Sequence, residues 1–126
     1  MGLFNTSRTN DFAWTSIQSV AQWEVIYNEP SEQLKVIFKH STRCSISSFA
    51  LSSFEKEMQD YKGVSFYFVD LIAHRDVSNK IAEDTGVIHQ SPQVIVLHNQ
   101  HVVYSASHEA IDGIKIQQLN TTIHEK

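Results

Sequence analysis

The chain has 126 residues, a length that suits one compact domain able to bury a core without covalent staples. Hydrophobic residues are 41% and charged residues 19%, the balance of a folded soluble protein rather than a disordered one. The formal net charge of -4, with Lys and Arg scattered along the chain, excludes the basic stripe of a nucleic-acid binder, and no apolar run is long enough to span a bilayer.

In chain order, residues 1–14 read as a loose arm, and residues 1–11 lack the apolar stretch of a secretory signal, so a cytosolic location is expected. Ser19 and Gln22 have capping-box spacing, and Trp23, Ile26 and Tyr27 form an apolar face behind them. Asn28 and Pro30 end that helix. Residues 34–38 (LKVIF) form a nearly continuous apolar run, the pattern of a strand buried on both faces.

A longer helix is expected from Cys44 to about Tyr61, with Ile46, Phe49, Ala50, Phe54, Met58 and Tyr61 as its apolar positions and Gly63 as its stop. Residues 64–69 (VSFYFV) are β-branched and aromatic, hence a strand, closed by Asp70. Residues 75–84 are helical, with Val77 and Ile81 on one face and Gly86 beyond the end. Residues 94–97 (VIVL) form a strand. Residues 98–101 turn the chain, and residues 102–104 return beside it. Asp112 reads as the N-cap of a last helix, with Ile111 and Ile116 as a staple and Ile116, Leu119 and Ile123 as its buried stripe.

The order is α-β-α-β-α-β-β-α, without repeat or linker, so residues 1–126 are taken as one domain. Two crossover units predict parallel strands and the hairpin adds an antiparallel arm. The expected fold is α/β, with a mixed central sheet of about four strands and helices on both faces. That order is thioredoxin-like.

The chemistry centres on Cys44, six residues beyond the LKVIF run and at the head of a helix. The first amides of a helix lack internal partners and carry partial positive charge, so a thiolate placed there is stabilised. Arg43 and Lys39 add positive charge nearby, and Ser45 and Ser47 leave small polar surroundings. A lone cysteine is often a buried apolar residue, but the strand-to-helix position favours a nucleophile. The spacing Cys44-Ser45-Ile46-Ser47 is a C-x-x-C arrangement with serine in the second place. Ser47 cannot resolve a mixed disulfide, although its hydroxyl is placed to hydrogen-bond the Cys44 sulfur. An outside thiol must therefore release the adduct. Ser91-Pro92 stands at the start of the VIVL strand, where proline is tolerated and where an X-Pro bond is a candidate for cis.

The stretch FKHSTRCSIS, residues 38–47, resembles the signature of the YtxJ-like monothiol bacilliredoxins. Ser91-Pro92-Gln93 before VIVL is similar to that family's cis-proline corner, and Ser107-His108 to its later Ser-His pair. The resemblance runs from about Ser16 to Leu119. It implies a thioredoxin-like protein that removes bacillithiol, a small thiol, from oxidised protein cysteines. Cys44 would be the catalytic residue, bacillithiol a co-substrate, and S-thiolated proteins the partners, with no tightly bound cofactor. Pro92 is expected to be cis and to lie near the sulfur. Thr42, Arg43 and Ser91 are expected to contact the incoming disulfide, and Lys39 or Arg43 the carboxylates of the small thiol. Many members carry proline directly after the cysteine, where this chain has Ser45.

Seven histidines invite a metal site, but His98 and His101 fall in a turn and no second cysteine exists, so none is expected. His40 has two candidate roles, tuning the thiolate or hydrogen-bonding within the fold. Two rivals remain open: a monothiol-glutaredoxin-like carrier of glutathione or an iron-sulfur cluster, whose Cys-Gly-Phe-Ser motif is missing here, and a thioredoxin-fold interaction module without turnover.

Overall fold

The computed structural model describes residues 12–124. Its elements are β1 (Trp14–Ser16), α1 (Val20–Asn28), β2 (Leu34–His40), α2 (Ser45–Met58), β3 (Val64–Asp70), α3 (Arg75–Thr85), β4 (Gln93–His98), β5 (His101–Ser107), a 3-10 turn (His108–Ala110) and α4 (Gly113–His124). The strands form one sheet in the order β1-β3-β2-β4-β5. β1 and β2 run parallel to β3, β4 runs antiparallel to β2, and β5 antiparallel to β4. This is the expected mixed sheet with five strands instead of about four.

The additional strand is β1. It corrects the end of the expected arm, since Trp14 pairs with Phe66 and is structural. Residues 1–11 of that arm lie outside the described residues. Three residues (WTS) carry no alternation to read, and most of their support comes from residues distant in sequence. The Trp14 ring lies among those of Phe12, Phe38, Phe54, Phe66 and Phe68, and its indole N–H donates to Glu55 Oε2 at 2.6 Å.

Alternation along β2 divides the core. Leu34, Val36 and Phe38 face α2 and α4, where they meet Leu51, Phe54, Met58 and Ile116. Ile37 faces α1 and α3, where it meets Trp23, Ile26, Val77 and Ile81. All seven residues of β2 are buried, as a central strand covered on both faces requires.

Local signals explain most of the boundaries. Ser19 caps α1 by accepting from the Gln22 amide, while the Gln22 side chain reaches back to the Gln18 amide. Gly86 ends α3 at φ 76°, a left-handed position that glycine adopts without a Cβ clash. Asp112 Oδ1 accepts from the amides of Ile114 and Lys115 at the head of α4. α2 ends three residues before the expected Tyr61, at Met58, and Asp60 makes the left-handed turn at φ 65°.

The far end of α4 carries a pH-dependent tie. Nδ1 of His124 lies 2.9 Å from the Asn120 carbonyl and Nε2 lies 2.8 Å from the Glu32 carbonyl. Two carbonyl acceptors demand two N–H donors, which only the imidazolium supplies. Accordingly, the bond to Glu32 first and that to Asn120 second raise the His124 pKa above 6.5. A raised folded-state pKa contributes stability below the unfolded value and loses it as pH rises through the folded one. The difference in Tm between wild type and His124→Ala is therefore expected to be larger at pH ~5.5 than at pH ~8.5. An equal difference at both values would show that the charge on His124 is irrelevant.

Candidate functional site

Cys44 is the N-cap of α2, partly exposed, in the turn that joins the end of β2 to the helix. Its amide donates to the Ser41 carbonyl at 3.2 Å, and its own carbonyl accepts from the Ser48 amide at 3.0 Å. The backbone on both sides of the sulfur is thus fixed. The sulfur makes no capping bond to the first-turn amides. Thr42, Arg43 and Ser45 are exposed around it.

Strand register brings the other motif residues to the same end of the sheet. Lys39 pairs with Gln93 across β2 and β4, and Gln93 pairs with Ser107 across β4 and β5. The β2–β4 ladder ends at Lys39–Gln93, so Ser91-Pro92 and the Cys44 turn leave the sheet at the same end. The Ser91-Pro92 bond is cis. The Pro92 carbonyl accepts from the His108 amide at 3.0 Å, so the Ser107-His108 pair anchors the proline corner through its backbone. Ser91 Oγ is buried and has no hydrogen-bond partner among the described residues.

Two expectations require correction. Lys39 does not approach the small-thiol side of Cys44. It lies on the α1 and α3 face of β2, fully buried, and its Nζ donates to the Ser78 carbonyl at 3.1 Å, with His89 Nδ1 at 3.4 Å. The period of two along β2 dictates this, because Lys39 shares its face with Ile37. Burial lowers the Lys39 pKa to about 8. Burial, followed by the charges of Lys39 and Arg75, also pushes His89 down. His89 and Ser78, which the sequence did not single out, hold the loop that leads to Ser91. The available signal was the period of two, which puts Lys39 on the same face as Ile37.

Ser47 is the second correction. Its side chain is fully buried, and its hydroxyl oxygen lies 2.8 Å from His40 Nδ1 and accepts from the Ser41 amide at 3.1 Å. The hydroxyl therefore serves the turn rather than the sulfur. The same two bonds fix the rotation of α2. Ser47, Leu51, Phe54, Glu55 and Met58 face inward, while Ile46 and Phe49, read from sequence as core positions, are 64% and 78% exposed. Glu55 is accommodated inside by the Trp14 indole.

Among the described residues, no three of His, Cys, Asp and Glu are grouped closely enough to hold a metal ion. None of their helices is long and apolar enough to cross a membrane. A groove of about 610 Å³ opens at the opposite end of α2, between Phe12, Lys56, Met58 and Tyr61, away from the sulfur.

Comparison with known proteins gives a consistent assignment. The family described as monothiol bacilliredoxin BrxC matches residues 15–116. A solved structure described as a putative oxidoreductase with a thioredoxin fold superposes with a TM-score of 0.73 at 28% identity, covering 84% of this chain and 92% of its own. Thioredoxin NaTrxh from Nicotiana alata gives 0.72 at 13% identity, with 93% and 97% covered. Thioredoxin from Trypanosoma brucei brucei gives 0.68 at 18% identity, with 97% and 100% covered. The last two show the fold alone.

Proposed function

The chain belongs to the monothiol bacilliredoxin family, and from that premise we propose that it removes bacillithiol from oxidised protein cysteines through a mixed disulfide on Cys44. The observation that carries this reading is the placement of a single sulfur. Cys44 is partly exposed at a helix start, and the position of a resolving cysteine is filled by a buried serine whose oxygen is engaged by His40 and Ser41.

The reaction has two exchanges. The Cys44 thiolate attacks the bacillithiol sulfur of a modified client. The client's disulfide bond breaks as the Cys44–bacillithiol bond forms, and the client cysteine leaves as a thiolate that takes a proton from water. A second bacillithiol thiolate then attacks the sulfur of the bound one. Bacillithiol disulfide forms and Cys44 leaves as a thiolate. On this reading Thr42 and Arg43, both exposed, contact the incoming disulfide together with Ser91. Arg43 is suited to a carboxylate of the small thiol, a role that buried Lys39 cannot take. The partners on this reading are S-thiolated cytosolic proteins, with bacillithiol as co-substrate and no resident cofactor.

The test is a single-turnover incubation with a bacillithiol-modified protein, read by mass spectrometry. One equivalent of bacillithiol is expected on Cys44, and free bacillithiol should discharge it and restart turnover. Charging by glutathione adducts alone would retain the exchange chemistry and reject bacillithiol. A carrier of iron-sulfur clusters would instead show a visible absorbance after anaerobic purification.

A further inference from the structure

The polar edge of the His40 ring reaches the interior of the Cys44 turn. It sits at the end of β2, 4% exposed, with its ring stacked at a tilt 5.6 Å from Phe68. Its Nδ1 lies 2.8 Å from Ser47 Oγ. That oxygen accepts the Ser41 amide at 3.1 Å, and the Ser41 carbonyl in turn accepts the Cys44 amide at 3.2 Å. Three hydrogen bonds, joined through the Ser41 backbone, thus connect the imidazole to the Cys44 amide.

The hydrogen-bonding capacity of a hydroxyl makes this path specific. Ser47 has one proton to donate and two lone pairs. One lone pair is taken by the Ser41 amide. The proton and the remaining lone pair are free for His40, so the hydroxyl can serve the ring in either tautomer without releasing the backbone. Ser47 occupies the third position of α2, from which a polar side chain commonly reaches back to the amides before the helix. Here it reaches Ser41 instead of the N-cap, because the Cys44 amide is already held by the Ser41 carbonyl.

We propose that His40 is a positioning residue for the thiol exchange, acting through Ser47 and Ser41 to hold the Cys44 sulfur in the orientation needed for attack. The proposal rests on Cys44 being the attacking group. It adds that the serine of the C-x-x-S motif is the hub of a turn-holding network rather than a vacant resolving position. In-line attack on a disulfide is sensitive to small misplacement of the nucleophile, so loosening this turn costs rate even where the fold is retained.

The experiment uses the full chain and a nitrobenzoate disulfide, which reacts with Cys44 and releases one coloured thiolate whichever small thiol the protein serves. His40→Phe retains a ring against Phe68 and removes Nδ1. It is expected to slow the reaction about tenfold, the effect of one lost hydrogen bond. His40→Asn returns a polar atom near the Nδ1 position and is expected to recover most of that rate. Ser47→Ala should be slowed as much as His40→Phe, and the double variant should be no slower than either, because both changes cut one path. A His40→Phe rate within twofold of wild type would overturn the proposal. So would an Asn variant no faster than Phe, or losses that multiply in the double variant. If His40→Phe does not fold, Ser47→Ala at the wild-type rate overturns it alone. Because the probe is independent of bacillithiol, a wild-type protein that bacillithiol adducts fail to charge would reject the proposed function without altering this readout.

Discussion

Cys44→Ala is expected to lose both capture and turnover while retaining the fold. The side chain is partly exposed and makes no capping bond, so its removal leaves neither a sealed cavity nor an orphaned helix amide. It is also the only sulfur nucleophile in the chain, since the sequence contains one cysteine. The variant should reduce the stripping of a bacillithiol-modified protein to the rate that free bacillithiol achieves unaided. Cys44→Ser is the companion variant. A hydroxyl retains most of the volume, but at neutral pH it is a far weaker nucleophile than a thiolate. Circular dichroism and the thermal midpoint should match wild type for both. If either variant strips the substrate at the wild-type rate, Cys44 is structural and the exchange reading fails.

The second large effect lies on the opposite face of the sheet and concerns stability. A fully buried lysine whose pKa falls from 10.5 to about 8 releases its proton in the folded state before it does so in the unfolded chain. Between those values the unfolded state binds more protons, so stability rises with pH. The shift corresponds to about 3 kcal/mol at full amplitude. Lys39→Met has no proton to lose and should show none of this rise. The quantity to measure is the difference in urea unfolding free energy between wild type and Lys39→Met at pH ~7, ~8.5 and ~10. Wild type should gain on the variant as pH increases. Tyr67 and Tyr104, whose pKa values burial raises, titrate alike in both proteins and cancel in the difference. A constant difference would show that the Lys39 charge is not desolvated as its burial implies.

These two residues show how unevenly the sequence reveals the molecule. Cys44 was legible because its position depends on local rules, namely an apolar strand, a short turn and a helix start. Ser19, Gly86 and Asp112 were legible for the same reason, since caps and left-handed stops are satisfied within a few residues. Ser91-Pro92 was legible because proline marks the first position of a strand. Lys39 is close to Cys44 in sequence, but the alternation of β2 turns it to the other face. The inward face of α2 was misread for a different reason. Hydrophobicity alone favours Ile46 and Phe49, but hydrogen bonds to His40, Ser41 and Trp14 make Ser47 and Glu55 acceptable inside. A helix with polar residues in its core is set by partners outside the helix, and its periodicity carries no record of them.

The short strand β1 has a consequence beyond the packing of Trp14. Without it, β3 would be the outermost strand of the sheet, and β3 reads VSFYFVD, the segment richest in aromatic and β-branched residues. An uncovered strand of that composition presents a row of free amides and carbonyls and is a template for pairing with another copy of itself. By occupying the partners of Phe66, Tyr67 and Phe68, three residues deny that template to a neighbouring molecule. Trimming the chain past Ser16 would thus uncover that edge and raise aggregation in concentrated solution, besides removing the Trp14 contacts to α2.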